Sequence, residues 1–132
     1  MNAEIKKEKW EKFLEALSRR RFDWKSRIEV LSNEFGDQIL SDGLPLNGIT
    51  METREGAVTI DISVGEDTRS HQTHSIKDPT RIAFLRADSA HGDIVDIEQK
   101  DGTKTLITLI EPMGVIVGFT EVEMIATAFS TL

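Results

Sequence analysis

The stretch from Asp93 to Ile110 constrains the fold more than any other part of the chain, because it has the pattern of a β-hairpin. Asp101-Gly102 is the strongest short hairpin signal, since a type I′ turn needs positive φ at both central residues. β-Branched residues flank this dipeptide, as suits a pleated surface. The sequence therefore predicts two antiparallel strands joined at Asp101-Gly102.

A two-residue turn would fix the register of this hairpin. Ile97 would face Leu106 and Val95 would face Thr108, so that Val95, Ile97 and Leu106 share one apolar face. A one-sided sheet does not need a second apolar patch, and we expect the patch on the other face to be covered by sheet curvature, by another element or by another subunit. This candidate interface comprises Ile94, Ile107 and Leu109.

Length and composition favour one soluble globular domain over residues 1–132. The chain has no cysteine, which excludes disulfides and thiolate sites and suits a reducing cytoplasm. No apolar run approaches the ~20 residues of a membrane span. The first ten residues lack the apolar core of a secretory signal. We therefore expect a cytoplasmic protein that does not engage a membrane.

The net charge argues against a nucleic-acid partner. Lysine and arginine number 16 against 23 aspartates and glutamates, for a net charge of -7. Phosphate contacts need clustered cations, and Arg19–Arg21 is the one such cluster in the sequence. Cations also complement the dipole at a helix C-terminus, and we favour that interpretation of the cluster.

Residues 1–21 carry the pattern of an amphipathic helix. Asn2 is a candidate N-cap, and glutamates and lysines occupy the polar positions. The apolar stripe must be buried, and the sheet is the expected partner. Its residues recur at i, i+3, i+4 and i+7: Trp10, Phe13, Leu14 and Leu17.

Residues 25–110 are predicted to form an antiparallel sheet of five to seven strands. Pro45 should place a bulge, a bend or an edge after the start of the second strand, because proline cannot donate to a strand ladder. Residues 68–78 are polar and predict either an edge strand or a loop. The remaining strand signals are Lys25–Leu31, Gln38–Leu40, a hairpin of 46–53 and 57–64, and Arg81–Arg86.

Residues 111–132 are predicted to be a C-terminal extension. Val115 to Phe119 has the composition of one more short strand. Thr120 and Glu123 have the spacing of a capping box, which predicts a short helix ending near Ser130.

The histidines are the only metal-ligand candidates. His71 and His74 have H-x-x-H spacing, which places two side chains on one face of a helix but on opposite faces of a strand. His91 could complete a zinc site of three histidines, or a histidine could bind a metal together with Asp78 or Asp88. The spacing is not diagnostic, so we favour solvated loop residues and expect no bound metal or cofactor.

Other catalytic signatures are missing from the sequence. It contains no phosphate-binding loop, dinucleotide fingerprint or nucleophile elbow. Asp61, Asp96 and Glu98 lie on predicted outward faces and are expected to be solvated. Two segments beside the predicted bend could line a cleft, although turn formation by Asp37 and close helix packing at Gly48 explain them better. These segments are residues 36–38 and 44–48.

Several segments in order resemble a bacterial family of uncharacterised domains. The match covers roughly residues 8–110, and the tail after Pro112 is longer than the usual ending of that family. The resemblance implies a fold type and a bacterial cytoplasmic setting, and it implies no chemistry. Its segments are Trp10 with Phe13 and Leu17, Gly36-Asp37-Gln38, Leu44–Thr50, His74–Pro79, Val95–Ile97 and Asp101–Thr103.

The sequence as a whole predicts an α+β domain in which an N-terminal helix packs on a strongly bent antiparallel sheet. The sheet could close into a small Sm-like or SH3-like barrel, or stay open with both terminal helices on one face. The function that we expect is a non-enzymatic interaction or structural module, either as a monomer or as a homo-oligomer. The alternative is a small metal-dependent or hydrolytic enzyme that uses loop histidines.

Overall fold

The computed structural model describes residues 2–86 and 92–111 of the chain. Within these ranges the chain forms a helix, α1 (Trp10–Arg20), which follows a 3-10 turn (Lys7–Lys9). The strands are β1 (Asn2–Ile5), β2 (Lys25–Ser32), β3 (Gly36–Arg54), β4 (Ala57–Val64), β5 (Gln72–Lys77), β6 (Pro79–Leu85), β7 (Asp93–Gln99) and β8 (Lys104–Ile110).

All strand pairings are antiparallel, and the order across the sheet is β1-β6-β7-β8-β2-β3-β4-β5. This order has eight strands in the described residues: seven lie within residues 25–110, as predicted, and β1 is an eighth strand outside that range. The sequence missed β1 because its residues were assigned to the helix. In the described ranges no pairing joins β1 to β5, so the sheet is open rather than a closed barrel. The predicted C-terminal strand and helix lie outside the described residues.

The 19-residue strand β3 connects the two parts of the sheet. Its first half, Gly36–Pro45, pairs with β2, and its second half, Leu46–Arg54, pairs with β4. Register shifts leave Leu40 and Gly43 as extra residues opposite β2, and Gly43 has a φ of 98°. Such bulges bend a strand and increase its twist. The interruption predicted around Pro45 is therefore a bulged bend within one continuous strand.

The helix begins later than the sequence indicates. Residues 2–5 pair with β6, with Ile5 opposite Ile82, so Asn2 is part of a strand and not an N-cap. Trp10 then donates its indole N–H to the carbonyl oxygen of Ile5 at 3.0 Å. Strand pairing satisfies the backbone of β1, and this outweighs the weak helical preference of its few residues.

One face of α1 closes the core. Trp10, Leu14 and Leu17 are buried, as the stripe predicted. Burying one such side chain contributes about 1.5–3 kcal/mol. Ser18 adds a polar connection, because its Oγ accepts from the N–H of Ile49 at 2.8 Å and lies 3.0 Å from the carbonyl oxygen of Ile49.

The hairpin of β7 and β8 exists, but the predicted register is wrong by one residue. Val95 faces Ile107, Ile97 faces Thr105, and Leu106 faces Asp96. The loop has three residues, since Gln99 and Thr103 close it through a 2.8 Å bond from the Gln99 N–H to the Thr103 carbonyl oxygen. The shift moves the inner face of β8 to Thr105, Ile107 and Leu109, all of which are fully buried.

The core lies between α1 and the inner faces of both parts of the sheet. Every strand from β2 to β8 contributes buried side chains to it, and those of β3 are Leu46 and Ile49 in its second half. Leu44, at the end of the first half, packs against this core, and the part of β3 before it extends beyond the core. The buried apolar cluster comprises Trp10, Leu14, Leu17, Ile28, Leu46, Ile49, Ile60, Ile62, Val64, Ile76, Ile82, Val95, Ile97, Ile107 and Leu109.

Candidate functional site

Residues 31–44, which we call the arm, form the hairpin tip that projects from the core. Its turn is stabilised locally, because the Oγ of Ser32 accepts from the backbone N–H groups of Glu34 at 3.1 Å and Phe35 at 3.2 Å. Gly36 follows with a φ of 74°, a conformation that glycine adopts freely. The predicted role of Asp37 in the turn is therefore wrong, since Asp37 is already in β3, opposite Leu31.

The arm exposes large apolar side chains. Phe35 is 71% exposed, Ile39 is 53% exposed and Leu40 is 38% exposed. Ile39 pairs with Glu29, which alternates with the buried Ile28, so Ile39 lies on the face directed away from the core. Exposed apolar residues scattered singly are ordinary, whereas several along one hairpin indicate a contact surface.

The outer edge of the arm is also open along its backbone. Pairing of β3 with β4 begins only at Leu46 opposite Val64. In the described part of the chain, no strand pairs with the outer side of Gly36–Leu44, which we call the arm edge. An unpaired strand edge is a template for another strand.

A shallow cleft of about 280 Å³ lies beside the arm, between its turn and the β7–β8 turn. Val30, Phe35 and Gln38 border it from the arm side, and Asp101 and Thr103 border it from the other. The N–H of Thr103 donates to the Asp101 carboxylate at 2.9 Å, and this bond and the side-chain bond to Thr103 lower the pKa of Asp101. Gly36 and Gln38 thus border a cleft, which is the alternative that the sequence favoured less.

Residues 44–48, the second segment expected near a cleft, serve the packing of α1. The N–H of Leu46 donates to the Trp24 carbonyl oxygen at 2.8 Å, and the N–H of Asp23 donates to the Leu46 carbonyl oxygen at 2.8 Å. A Cβ at Gly48 would lie 3.9 Å from the Oγ of Ser18, an ordinary contact distance. The helix does pass Gly48, but the packing does not require a glycine there.

A second cleft, of about 480 Å³, is lined by His71, whose ring contacts a hydroxyl group. The Nε2 of His71 lies 2.9 Å from the Oγ of Ser63. The nearby backbone donors are occupied, because the N–H of Gly65 binds the Pro45 carbonyl oxygen and the N–H groups of residues 66 and 67 bind the Oγ of Ser70. The pair has the geometry of a nucleophile and a base, without an open oxyanion site beside it.

Of the predicted metal ligands, the structure describes His71, His74 and Asp78. His74 lies in β5 opposite Ile62, and partial burial lowers the pKa of its ring. Asp78 forms the turn between β5 and β6, where its φ is 50°. Within residues 2–86 and 92–111, no three metal-type side chains form a cluster. His91 and Asp88 lie outside the described residues.

The outward carboxylates differ from one another. Asp61 accepts a 2.6 Å hydrogen bond from Ser75, and Glu98 lies 3.7 Å from Lys104. Asp96 is partly buried, and this burial raises the pKa of its carboxyl group. The expectation of full solvation was therefore wrong for Asp96.

The arginine cluster is divided between two environments. Arg21 donates from Nη2 at 2.9 Å and from Nε at 3.1 Å to the Asp93 carboxylate, and its guanidinium lies 4.5 Å from the centre of the Trp24 ring. Arg19 instead makes an exposed 3.8 Å pair with Glu15. Because Arg21 is taken up by this largely buried pair, Arg19–Arg21 does not form one continuous basic patch.

The observed register of β7 and β8 places the residues of the candidate interface on opposite faces of the sheet. Ile107 and Leu109 are fully buried in the core, and Ile94 is partly buried on the opposite face. These residues therefore do not form an exposed apolar patch. Sequence reasoning missed the arm, although Phe35 within a turn and Ile39-Leu40 beside it were signals that could have indicated it.

A family model matches residues 1–116 and describes a family of unknown function (DUF5335). The chain belongs to this family. The resemblance stated from the sequence is thus confirmed, and the matched range ends close to the expected start of the C-terminal extension.

An uncharacterised protein of Aquifex aeolicus (strain VF5) is 25% identical over 105 residues, covering 80% of this chain and 88% of that protein. No solved structure matches the chain. In the described parts of this DUF5335 member, no helix has both the length and the apolar character needed to cross a bilayer.

Proposed function

We propose that this domain is a non-enzymatic interaction module that self-associates through the arm edge. One observation carries the proposal: the hairpin that exposes Phe35, Ile39 and Leu40 also leaves Gly36–Leu44 without a partner strand in the described part of the chain. Backbone pairing along such an edge provides affinity, and the side chains beside it provide specificity. A cytoplasmic setting remains our expectation for a chain without cysteine.

The symmetry of the arm edge favours a second copy as the partner strand. Two copies related by a two-fold axis present the same edge to each other and pair antiparallel. A register centred on Leu40 pairs all of Gly36–Leu44 and places Leu40 against Leu40. Asp37 then faces Gly43 and Asp42 faces Gln38, so no like charges are directly opposed.

The apolar residues gain from the same arrangement. Ile39 lies on the outer face of both copies, and the two Ile39 side chains would be diagonal neighbours across the axis. Both could then be removed from water without changing the core of either copy. The arm would thus extend the sheet across the dimer. The edge strand β1 has only four residues and would form a shorter pairing.

Sedimentation velocity over a wide range of concentrations tests the proposal, with Ile39→Lys as the disrupting variant. A lysine on an edge strand blocks edge-to-edge pairing, and here two lysines would meet across the axis. We expect the dimer dissociation constant to rise by at least about tenfold, which corresponds to about 1.4 kcal/mol. Phe22→Lys is the matched control, since Phe22 is 57% exposed but lies outside the arm.

Hydrogen exchange distinguishes the remaining outcomes at the arm amides that point away from β2, since the amides bonded to β2 are protected in any case. Protection of these outward amides of residues 36–44 that increases with protein concentration supports a second copy. Concentration-independent protection in a monomer means that another segment of the same chain covers the arm edge, and this overturns self-association. A monomer with these outward amides unprotected overturns both self-association and the idea that this edge is covered.

A hydrolase is the second candidate, and the 2.9 Å contact between Ser63 and His71 is the observation that favours it. The Oγ of Ser63 would attack the ester carbonyl while His71 takes its proton and passes it to the leaving alcohol, and water would then hydrolyse the acyl-serine to release the acid. A chromogenic acetyl ester is a suitable probe. Hydrolysis that Ser63→Ala abolishes and Ser75→Ala retains would support this function, and equal rates for both variants would reject it.

A further inference from the structure

The beginning of α1 borders a groove of about 410 Å³ that the proposed dimer does not use. The groove, which we call the lysine groove, separates the end of β1 from the first turns of the helix. Its lining residues are Glu4, Ile5, Lys6, Lys9, Lys12 and Phe13.

The local backbone aligns the lysines of this groove. The N–H of Lys9 donates to the Lys6 carbonyl oxygen at 2.8 Å, which closes the 3-10 turn. Residues three apart in a 3-10 turn lie above one another, and Lys12 continues that spacing into α1. Lys6, Lys9 and Lys12 therefore recur at a spacing of three residues, and all three line the groove.

These lysines are cations without an anionic partner in the described ranges. The ion pairs there include none to Lys6, Lys9 or Lys12, and Glu4 is engaged by Arg81 at 3.1 Å. A cluster of unpaired cations is notable in a chain whose net charge is -7. The groove therefore favours an anionic occupant.

The groove also has apolar walls. Ile5 and Phe13 are only partly buried, and both pack against the core. The Phe13 ring makes an edge-on contact with Phe84, with ring centres 5.5 Å apart. An occupant that combines carboxylates with apolar side chains would satisfy both the cations and these walls.

We propose that the lysine groove binds the C-terminal segment of the same chain, residues 120–132. Glu121 and Glu123 give this segment its charge, and no lysine, arginine or histidine follows Lys104 in the sequence. The segment also supplies apolar side chains close to these carboxylates: Val122, Met124, Ile125, Ala128 and Phe129.

The connection is long enough for this contact. Three inter-strand steps separate β8 from β1, and Ile5 is aligned through β6 and β7 with Thr105, five residues before Ile110. Strand geometry places the groove roughly 22 Å from the end of β8. Residues 111–119 can span about 30 Å when extended. The segment can therefore reach the groove of its own chain.

Carbodiimide cross-linking of the full chain tests this contact, because the reagent joins only carboxylates and amines that touch. Peptide mass spectrometry should find Glu121 or Glu123 joined to Lys6, Lys9 or Lys12. We expect these links to exceed those to the exposed lysines 25, 77 and 100 by about tenfold, since tethering provides a millimolar effective concentration. About 1 M salt, with a Debye length of about 3 Å, should reduce them strongly.

Isotope mixing identifies the source of the segment. In a mixture of ¹⁵N-labelled and unlabelled protein, links within one isotopic form support the proposal, and mixed links mean that the segment binds a second copy and overturn it. Equal links to all exposed lysines also overturn it.

Charge exchange provides a second test of the same contact. Lys9→Glu with Lys12→Glu should abolish the remaining link to Lys6, and adding Glu121→Lys with Glu123→Lys should restore cross-links with their direction reversed. Circular dichroism confirms that each variant is folded. Failure of the exchange in folded protein would contradict the proposed pairing, whatever the result of the dimer experiment.

Discussion

The two halves of β3 belong to one continuous strand, yet only the second half has bonding partners on both edges. Leu46–Arg54 pairs with β4, and at Leu46 and Ile49 its other side bonds to α1 and to the connection that follows it: the Oγ of Ser18 accepts from the N–H of Ile49, and Leu46 bonds to residues 23 and 24. Gly36–Leu44 pairs with β2, and the described chain leaves its other side open. A helix covering an edge is one way in which proteins prevent unwanted pairing.

The difference shows that length and composition alone do not decide how a strand is used. Both halves carry apolar side chains, but Leu46 and Ile49 are almost fully buried, whereas Ile39 and Leu40 are exposed. The bulges at Leu40 and Gly43 direct the arm away from the core. The covered half therefore stabilises the domain, and the open half is available for contact.

The largest expected effect comes from truncating one apolar residue in each half. Leu46→Ala should lower the free energy of unfolding by about 2–5 kcal/mol, because it leaves a cavity beneath α1. Ile39→Ala should change it by less than about 0.5 kcal/mol in the monomer. Urea denaturation at a protein concentration that keeps the chain monomeric measures both. Equal losses would show that the arm is part of the core.

A smaller effect should follow from uncovering the second half. Ser18→Ala removes the hydroxyl that accepts from the N–H of Ile49 at 2.8 Å and has the carbonyl oxygens of Leu14 and Ile49 as acceptors for its own hydrogen. We expect a loss of about 2 kcal/mol because the N–H of Ile49 stays partly buried without a partner. Ser75→Ala is the matched control, since its hydroxyl bonds to Asp61 on the surface and its loss should cost less than about 0.5 kcal/mol.

Hydrogen exchange at Ile49 locates the effect of Ser18→Ala. Faster exchange at this amide, with the arm unchanged, would confirm that the helix covers the edge. Unchanged exchange at Ile49 would mean that other groups protect it, and the contrast between the two halves would then need a different cause.

The sequence predicts local elements well wherever a turn and its flanking strands agree. The hairpin around residues 54–56 is confirmed, and its two-residue turn has positive φ at both Glu55 and Gly56. At Asp101-Gly102 only Gly102 has a positive φ, 92°, so the loop becomes a three-residue one. Periodicity fixes which residues alternate, but a one-residue difference in a loop exchanges the faces.

What the sequence could not show is which backbone edge stays uncovered. That depends on contacts between residues far apart in the chain, such as Ser18 with Ile49, for which local patterns contain no signal. The same limit explains the helix start, because residues 2–5 become a strand only by pairing with β6. The stripe of α1 was predictable, since burial at helical spacing is a local property.

The smallest expected effect is the pH dependence of stability that His74 on β5 produces. Partial burial of the His74 ring on β5 lowers its pKa, so the folded chain binds this proton less readily than the unfolded chain, in which the pKa is about 6.5. The resulting stabilisation is complete above that pH and is lost as the pH falls through the lower pKa of the folded state.

The slope of the free energy of unfolding against pH measures this effect. His74→Gln should reduce the total change in that free energy over the pH range by less than about 1 kcal/mol, because the ring is only half buried. His71→Gln, which alters the exposed ring beside Ser63, should retain the slope that His74 produces. Urea denaturation between neutral and mildly acidic pH measures all three proteins. If His74→Gln leaves the slope unchanged, β5 does not shield its ring, and the covered side of the sheet ends at β4.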